Sequence, residues 1–437
     1  MLSTLKDAFK VKDIRNKILF TLMVLVIFRL GAYITVPGIN AKALQSVASS
    51  GLVSILNTFS GGGLTNYSIF AMGVSPYITA QIIVQLLQMD IVPRFVEWGK
   101  QGEVGRRKLN QVTRYLTVVL AFFQSIGITA GFNTLSSLNL VSHPSATTYI
   151  TIGMILTGGS MLTTWMGDMI TDRGIGNGIS MIIFAGIIAR IPVGLQQLYQ
   201  QYFVGVATED LWKPILFAIA LAIVILIIVT WVTWVQQAER RVPIQYTRRV
   251  AGAPDSSYLP LKVNVAGVIP VIFASSFIST PQTILMAFAN NHSEDTWYQV
   301  LNNVFNMQTP VGATLYTLLI IMFTYFYAFV QVNPEKLSEN LQKQGSYIPG
   351  VWPGHETQSY ISRLLMRLST VGSLFLGIVA LIPLIASNVW HLSESIGLGG
   401  TSLLIVVGVA IETIRQIRGL MMKRQYVGFI QDSRPTE

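Results

Sequence analysis

The chain has 437 residues, of which 51% are hydrophobic and 11% charged, whereas soluble domains carry about 25% charged residues. That composition excludes a soluble enzyme and makes most of the chain membrane spans joined by short connectors. Cysteine is absent, which excludes disulfides, thiolate metal sites and a cysteine nucleophile, and the formal net charge of +10 informs through its distribution.

A basic tail occupies residues 1–17. Ten apolar runs follow, at 18–36, 68–88, 115–135, 149–168, 178–200, 214–235, 265–288, 311–332, 370–390 and 399–418. Each is close to the length of a helical span. The first is long, and the "YITVPGINAK" after it lacks a small-residue cleavage site, so it reads as a retained span rather than a signal peptide. Arg29 lies well inside this run. A charge in lipid costs about 2.5–3.5 kcal/mol on insertion scales, so Arg29 is expected to meet water or a polar partner.

Between the first and second runs stands "LVSILNTFSGGGLTNYS". Leu52, Ile55, Leu56 and Phe59 share one helical face, and the helix stops at Gly61, Gly62 and Gly63. Its eight to ten residues reach only about 12–15 Å against a hydrocarbon core of about 30 Å. It reads as a re-entrant half-helix tied down by a glycine hinge. Pro76 and Pro270 sit early in their runs, as ordinary punctuation or as a bend beside a cavity. Strands are not expected, because no ten-residue alternation recurs of the kind a membrane barrel needs.

Lys and Arg fix the orientation. The N-terminal tail, the segments 89–114, 169–177, 236–264 and 333–369, and the chain from about 413 onward carry 26 of the 30 basic residues. Both termini are therefore expected in the cytoplasm, with short external connectors and no external domain. The two connectors 236–264 and 333–369 are long and rich in Pro, Gly and Arg. The positive-inside rule accounts for their charge but not their length. They read as docking surfaces for an anionic or large partner.

Catalytic chemistry is largely excluded. His143, His292, His355 and His391 all lie in connectors or at span ends, which leaves no histidine at membrane depth to activate a serine. There is no H-E-x-x-H and no nucleotide-binding G-x-x-x-x-G-K-[ST]. "RGIGNGIS" (173–180) lacks the lysine and reads as a tight turn feeding a helix. No cofactor or metal site is expected. Intramembrane carboxylates are scarce: Asp168 stands at a cytoplasmic end, and Glu412 three residues before Arg415 suggests a structural ion pair. A secondary transporter would need coupling carboxylates or a polar midplane site. Ile78 with Ile82, and Ile179 with Ile183, recur at helical spacing, but spacing alone does not separate them from packing residues.

Seven ordered stretches nevertheless carry a resemblance: "TFSGGG" (58–63), "SIFAMGVSPYITAQIIVQLL" (68–87), "GRRKLNQVTRY" (105–115), "DRGIGNGISMIIFAGI" (172–187), "LPLKVNVAGVIPVIFASS" (259–276), "NPEKLSENLQKQGSYIPG" (333–350) and "GGTSLLIVVGVAIE" (399–412). Together they resemble the SecY family, the central channel subunits of the bacterial Sec protein translocase.

The resemblance implies an all-α membrane protein. Ten transmembrane helices would form two five-helix, inverted pseudo-symmetric halves around an hourglass pore. The halves would be 18–200 and 201–418, with cytoplasmic tails 1–17 and 419–437 and a plug at about 51–66. It implies a pore ring of Ile78, Ile82, Ile179, Ile183, Ile272 and Ile405. The plug face would be Leu52, Ile55, Leu56 and Phe59, with Gly61, Gly62 and Gly63 as its hinge. Gln124, Ser275 and Ser276 would line a lateral gate between the second and third spans and the seventh and eighth.

Implied partners are the small membrane subunits SecE and SecG, the motor ATPase SecA, the ribosome, signal peptides with their preproteins, and membrane lipid. No nucleic acid is implied beyond the ribosome. Docking would fall to Arg106, Arg107, Arg240, Arg241, Arg248 and Arg249 and to the last loop. There the family's P-G-x-R-P-G pattern is replaced by "PGVWPG", with Trp352 at the arginine's position and Arg363 or Arg367 nearby to compensate. The implied place is the bacterial plasma membrane.

Overall fold

The computed structural model describes residues 8–40, 57, 60–89, 91–135, 141, 144–203, 212–246, 257–292, 295–390 and 400–431. Helices lie over all ten apolar runs: α1 Lys12–Gly31, α2 Ser75–Leu87, α4 Glu103–Leu135, α5 Ala146–Arg173, α6 Gly178–Tyr202, α7 Trp212–Gln237, α8 Ile269–His292, α10 Pro310–Gln331, α12 His355–Trp390 and α13 Gly400–Gln431. Three shorter helices sit in connectors: α3 Pro93–Lys100, α9 Thr296–Phe305 and α11 Pro334–Lys343. Among the described residues, five helical stretches are long and apolar enough to cross a membrane: Glu103–Asn133, Gly178–Tyr202, Pro214–Gln237, Pro310–Lys343 and His355–Ile382.

Starts follow local chemistry. Ser145, Asn177, Thr309 and Asn333 each accept a backbone N–H of the turn they precede, replacing a bond the first turn lacks. α2 departs from its run: the chain is irregular from residue 68 to residue 74 and turns helical only at Ser75. Gly73 has φ 53°, a left-handed backbone open to glycine, and Pro76 then occupies the first turn. The resulting 13 residues span about 20 Å. At the other extreme, α4, α12 and α13 run past their apolar stretches into charged ends, and α13 continues to Gln431, where the sequence suggested a tail.

The absence of strands is corrected. Residues Glu239–Tyr246 (β1), Ser257–Lys262 (β2) and Ser346–Tyr347 (β3) form a small antiparallel sheet in the order β2-β1-β3, with Val242 opposite Leu259. Its inner face, Val242, Ile244 and Leu261, packs on Leu341 of α11 and on Ile361 and Leu365 of α12. The alternation is real but only a few residues long, well short of a barrel strand. The two long connectors thus fold together on one end of the helices.

Helices α1, α2, α4, α5 and α6 pack among themselves, and α7, α13, α12, α10 and α8 pack in series. The two groups meet where α8 lies against α4 and α2, and where α13 lies against α6. One large apolar cluster joins both groups. A second, at the end away from the sheet, is built on Val36, Tyr67, Ile128 and Leu156.

Candidate functional site

Four helices begin around the large cluster. α6 starts next to the far part of α13: the Gly176 N–H, two residues before α6, donates to Gln416 Oε1 at 2.6 Å. α8 starts just after β2. α2 and α13 start from the opposite end, since the last turn of α2 shares a cavity with α11. The opening turns of these four helices carry Ile78 and Ile82, Ile179 and Ile183, Ile272, and Ile405. All six belong to the same cluster, five of them buried and Ile179 half-buried. The start of α6 is held close: Asn177 caps it, and Gly178 lies against the Gly167 carbonyl of α5, with no room for a side chain. Branched aliphatic side chains offer no hydrogen bonds, so such a cluster is dry and can part without breaking directional contacts.

Where α8 meets α4 and α2, the contact is polar. Gln124 Nε2 on α4 donates to Thr280 Oγ1 on α8 at 2.9 Å. Thr280 Oγ1 also lies 3.2 Å from Thr79 Oγ1 on α2. Of the three expected gate residues, Gln124 alone bonds across this seam. Ser275 turns toward α10, bonding the Tyr316 hydroxyl at 3.0 Å. Ser276 Oγ and Gln124 Oε1 are buried without a hydrogen-bond partner. Beside Gln124 a void of about 10 Å³ is lined by Ser75, Ser279 and Thr283, about the size of one water. Thr79 and Thr280 were missed in the sequence. Thr280 stands one turn after Ser276, which was the signal available.

Leu52, Ile55, Leu56 and Phe59 lie outside the described residues. The glycines beside them form a bonded turn. Gly61 and Gly62 have φ of 63° and 88°. The Gly62 N–H donates to the Asn57 carbonyl at 2.9 Å and the Ser68 N–H to the Gly63 carbonyl at 2.8 Å. The Asn57 amide donates to Thr65 Oγ1 at 2.6 Å. Arg29 finds its polar partner here: Nη1 donates to the Gly61 carbonyl at 2.6 Å, and Nη2 to the Tyr33 hydroxyl at 2.9 Å. Further along, the Val36 N–H donates to the Tyr67 carbonyl and the Ile69 N–H to the Ile34 carbonyl, both at 3.0 Å. The buried Tyr67 hydroxyl reaches Thr129 on α4 at 2.6 Å. Irregular backbone is thereby satisfied inside the protein, as it must be at membrane depth.

At the sheet end, a cavity of about 1050 Å³ opens between α2, α4, α11 and α12. Gln81 and Gln85 of α2 and its C-cap residue Gln88 line it, opposite Asn110 and Arg106 of α4 and Lys336 of α11. Arg106 and Arg107 are exposed at the start of α4, and Arg240 and Arg241 on β1. The Arg241 guanidinium stacks 4.9 Å over the Tyr258 ring. Arg248 and Arg249 lie outside the described residues. Trp352 is 81% exposed in the turn before α12, and Arg363 and Arg367 are exposed on α12 itself. Arg415 pairs with Glu239 of β1 at 3.4 Å, which replaces the Glu412 pair expected from spacing: the strand, unseen in the sequence, supplies the nearer carboxylate. Burial and the Arg415 charge lower the Lys262 pKa, while Glu412 and Glu239 oppose the shift. Arg114 and Asp168, 2.7 Å apart, tie α4 to α5.

The family model for SecY matches residues 68–414. A protein of Lactobacillus kefiranofaciens subsp. kefiranofaciens named "Protein translocase subunit SecY 1" is 65% identical, over 99% of this chain and 100% of its own length. The "Protein translocase subunit SecY" of Bacillus subtilis (strain 168) is 51% identical over the same shares. Among solved structures, "The structure of a protein conducting channel" aligns with a TM-score of 0.62 at 17% identity, covering 92% of this chain and 91% of that one. "Sec61 in the Canine ribosome-channel complex from the endoplasmic reticulum" aligns with the same values. These two likenesses concern the fold.

Proposed function

The chain belongs to the SecY family, and from that premise we propose that it is the pore of a protein translocase, passing unfolded preproteins across the bacterial plasma membrane and releasing transmembrane segments sideways into lipid. In this reading ten spans form two inverted halves, residues 18–200 and 201–418, around an hourglass pore, with both termini in the cytoplasm. The six isoleucines are its constriction. The segment at about 51–66 is a plug beneath them. The α2–α4–α8 seam is the lateral gate, with Thr79 and Thr280 joining Gln124.

The observation that carries the reading is that four helix starts, two from each end, bring the six isoleucines into one large apolar cluster. A dry waist of this kind suits a passage that must accept any side chain and hold none. The sequence carries no G-x-x-x-x-G-K-[ST] nucleotide-binding motif, and we assign the driving energy to partners. We assign the motor ATPase SecA and the ribosome to the sheet end, where Arg106, Arg107, Arg240, Arg241 and Trp352 are exposed. SecE and SecG are the expected membrane partners.

The test is to stall a secretory chain in the pore and probe photo-crosslinkers at positions 78, 183 and 272. Adducts at these positions are expected. Absence of all three during efficient translocation would remove the pore assignment.

A further inference from the structure

α9 connects the end of α8 to the start of α10 and packs against both. Since α8 begins beside β2 and α10 ends at α11, α9 lies at the end of the bundle away from the sheet. Its sequence, "TWYQVLNNVF", has no charged residue. Trp297, Val300, Leu301 and Val304 recur at i, i+3, i+4 and i+7 and form one face, while Gln299, Asn302 and Asn303 form the other. On a helix of a folded core such a stripe is buried. Here no residue of α9 is buried, and Trp297, Val300 and Leu301 are 45%, 55% and 38% exposed. The helix that follows continues the pattern, with Val311, Leu318 and Met322 of α10 also exposed. That face of α10 belongs to a helix long and apolar enough to cross a membrane, the kind of surface that lipid covers.

We propose that α9 lies flat in the membrane–water boundary away from the sheet, its Val300–Leu301 face among the acyl chains and Gln299, Asn302 and Asn303 in water. An indole at the level of the headgroups is a favoured anchor, and amphipathic helices bind this boundary in proportion to the apolar area they bury. With no Lys or Arg on α9, the partner is a neutral lipid boundary rather than an anionic headgroup. That the boundary is the external one rests on the orientation proposed above; the lipid contact itself does not. The consequence falls on α8, the helix that Gln124 bonds across the seam. With α9 fixed at lipid depth, the far end of α8 is held at constant height. Movement of α8 away from α4 is then a tilt about that end, not a slide along the bilayer normal.

The chain has no cysteine of its own, so single cysteines at 299, 300, 301 and 303 in the full chain can carry an environment-sensitive fluorophore. The labelled protein is placed in phosphatidylcholine vesicles. Quenching by lipids bearing a nitroxide near the headgroup is compared with quenching by aqueous iodide. Positions 300 and 301 should lose fluorescence to the lipid quencher and be spared by iodide; 299 and 303 should do the reverse. Equal quenching on both faces overturns the proposal. So does protection of 300 and 301 from both quenchers, which would mean that protein covers the stripe. Adding phosphatidylglycerol should change nothing, and strong dependence on it would overturn the neutral boundary. The measurement needs no transport, so its failure is separable from failure of the channel reading.

Discussion

Gln124 on α4 donates its side-chain amide to the Thr280 hydroxyl on α8 at 2.9 Å, a bond between residues far apart in sequence whose helices belong to different packing groups. Thr280 Oγ1 is also within 3.2 Å of Thr79 on α2. One hydroxyl thus holds three helices at the seam. Directional bonds of this kind are modest in net energy but costly to leave half-made.

That asymmetry gives the first prediction. Thr280→Val leaves the buried Gln124 amide without its acceptor, destabilising the α4–α8 contact by about 1 kcal/mol or more, about fivefold in the closed-to-open ratio if this seam is the proposed gate. Export of a precursor with a weakened signal should rise accordingly. The double variant Gln124→Leu, Thr280→Val leaves no orphan and should return toward wild-type selectivity. If the single variant exports no more than wild type, the seam does not set the threshold.

At the proposed constriction, Ile272→Asn and Ile405→Asn each place an amide in an apolar cluster. Wetting follows, because the amide recruits water that isoleucine excludes. Ion conductance of the resting protein in planar bilayers should increase for both. Unchanged conductance at both positions would remove these residues from the barrier.

Arg29 was the odd charge in the first apolar run. Its 2.6 Å bond to the Gly61 carbonyl is charge-assisted, a class worth about 1.5–3 kcal/mol. Arg29→Met should therefore loosen the turn at residues 60–63, read as faster amide hydrogen exchange at Gly62 and Gly63 with α4 and α8 unchanged. Protection equal to wild type would mean the turn is held by its internal bonds alone.

The exposed arginines of β1 make an electrostatic prediction. Reversing both, Arg240→Glu with Arg241→Glu, should weaken SecA or ribosome binding most at low ionic strength. The deficit should shrink as salt shortens the screening length toward about 8 Å at physiological strength. Arg241 also stacks on Tyr258, so Arg240→Glu alone is the cleaner control. A deficit independent of salt would point to altered sheet packing instead of charge.

The helices were legible because a span must be long, apolar and continuous, and that leaves a pattern in sequence. What was not legible depended on contacts at a distance. Gly73 and Pro76 could be seen, but not that together they delay α2 to Ser75. β1 and β2 were lost because their alternation is short and their inner face needs Leu341 and Leu365 to bury it. The six isoleucines resemble any packed aliphatic residue; only the family resemblance singled them out, and the folded chain places them in one large apolar cluster with many others. Thr79 carries no mark, and Thr280 only its place one turn after Ser276, until α2, α4 and α8 are side by side. The glycine triplet read as a loose hinge, since its bonds to Asn57 and Arg29 cannot be inferred from neighbouring sequence.

α13 carries Ile405 into the apolar cluster, holds the turn before α6 through Gln416, and reaches β1 through Arg415. Ile405 and Arg415 stand on one unbroken helix, about 15 Å apart along its axis. A rod of that length is stiff on the scale of thermal bending. Force applied to the sheet therefore arrives at the apolar cluster with no loop in between to absorb it. The same rod returns a load from that cluster to the sheet, so in the proposed channel whatever grips the sheet would sense whether the passage is occupied.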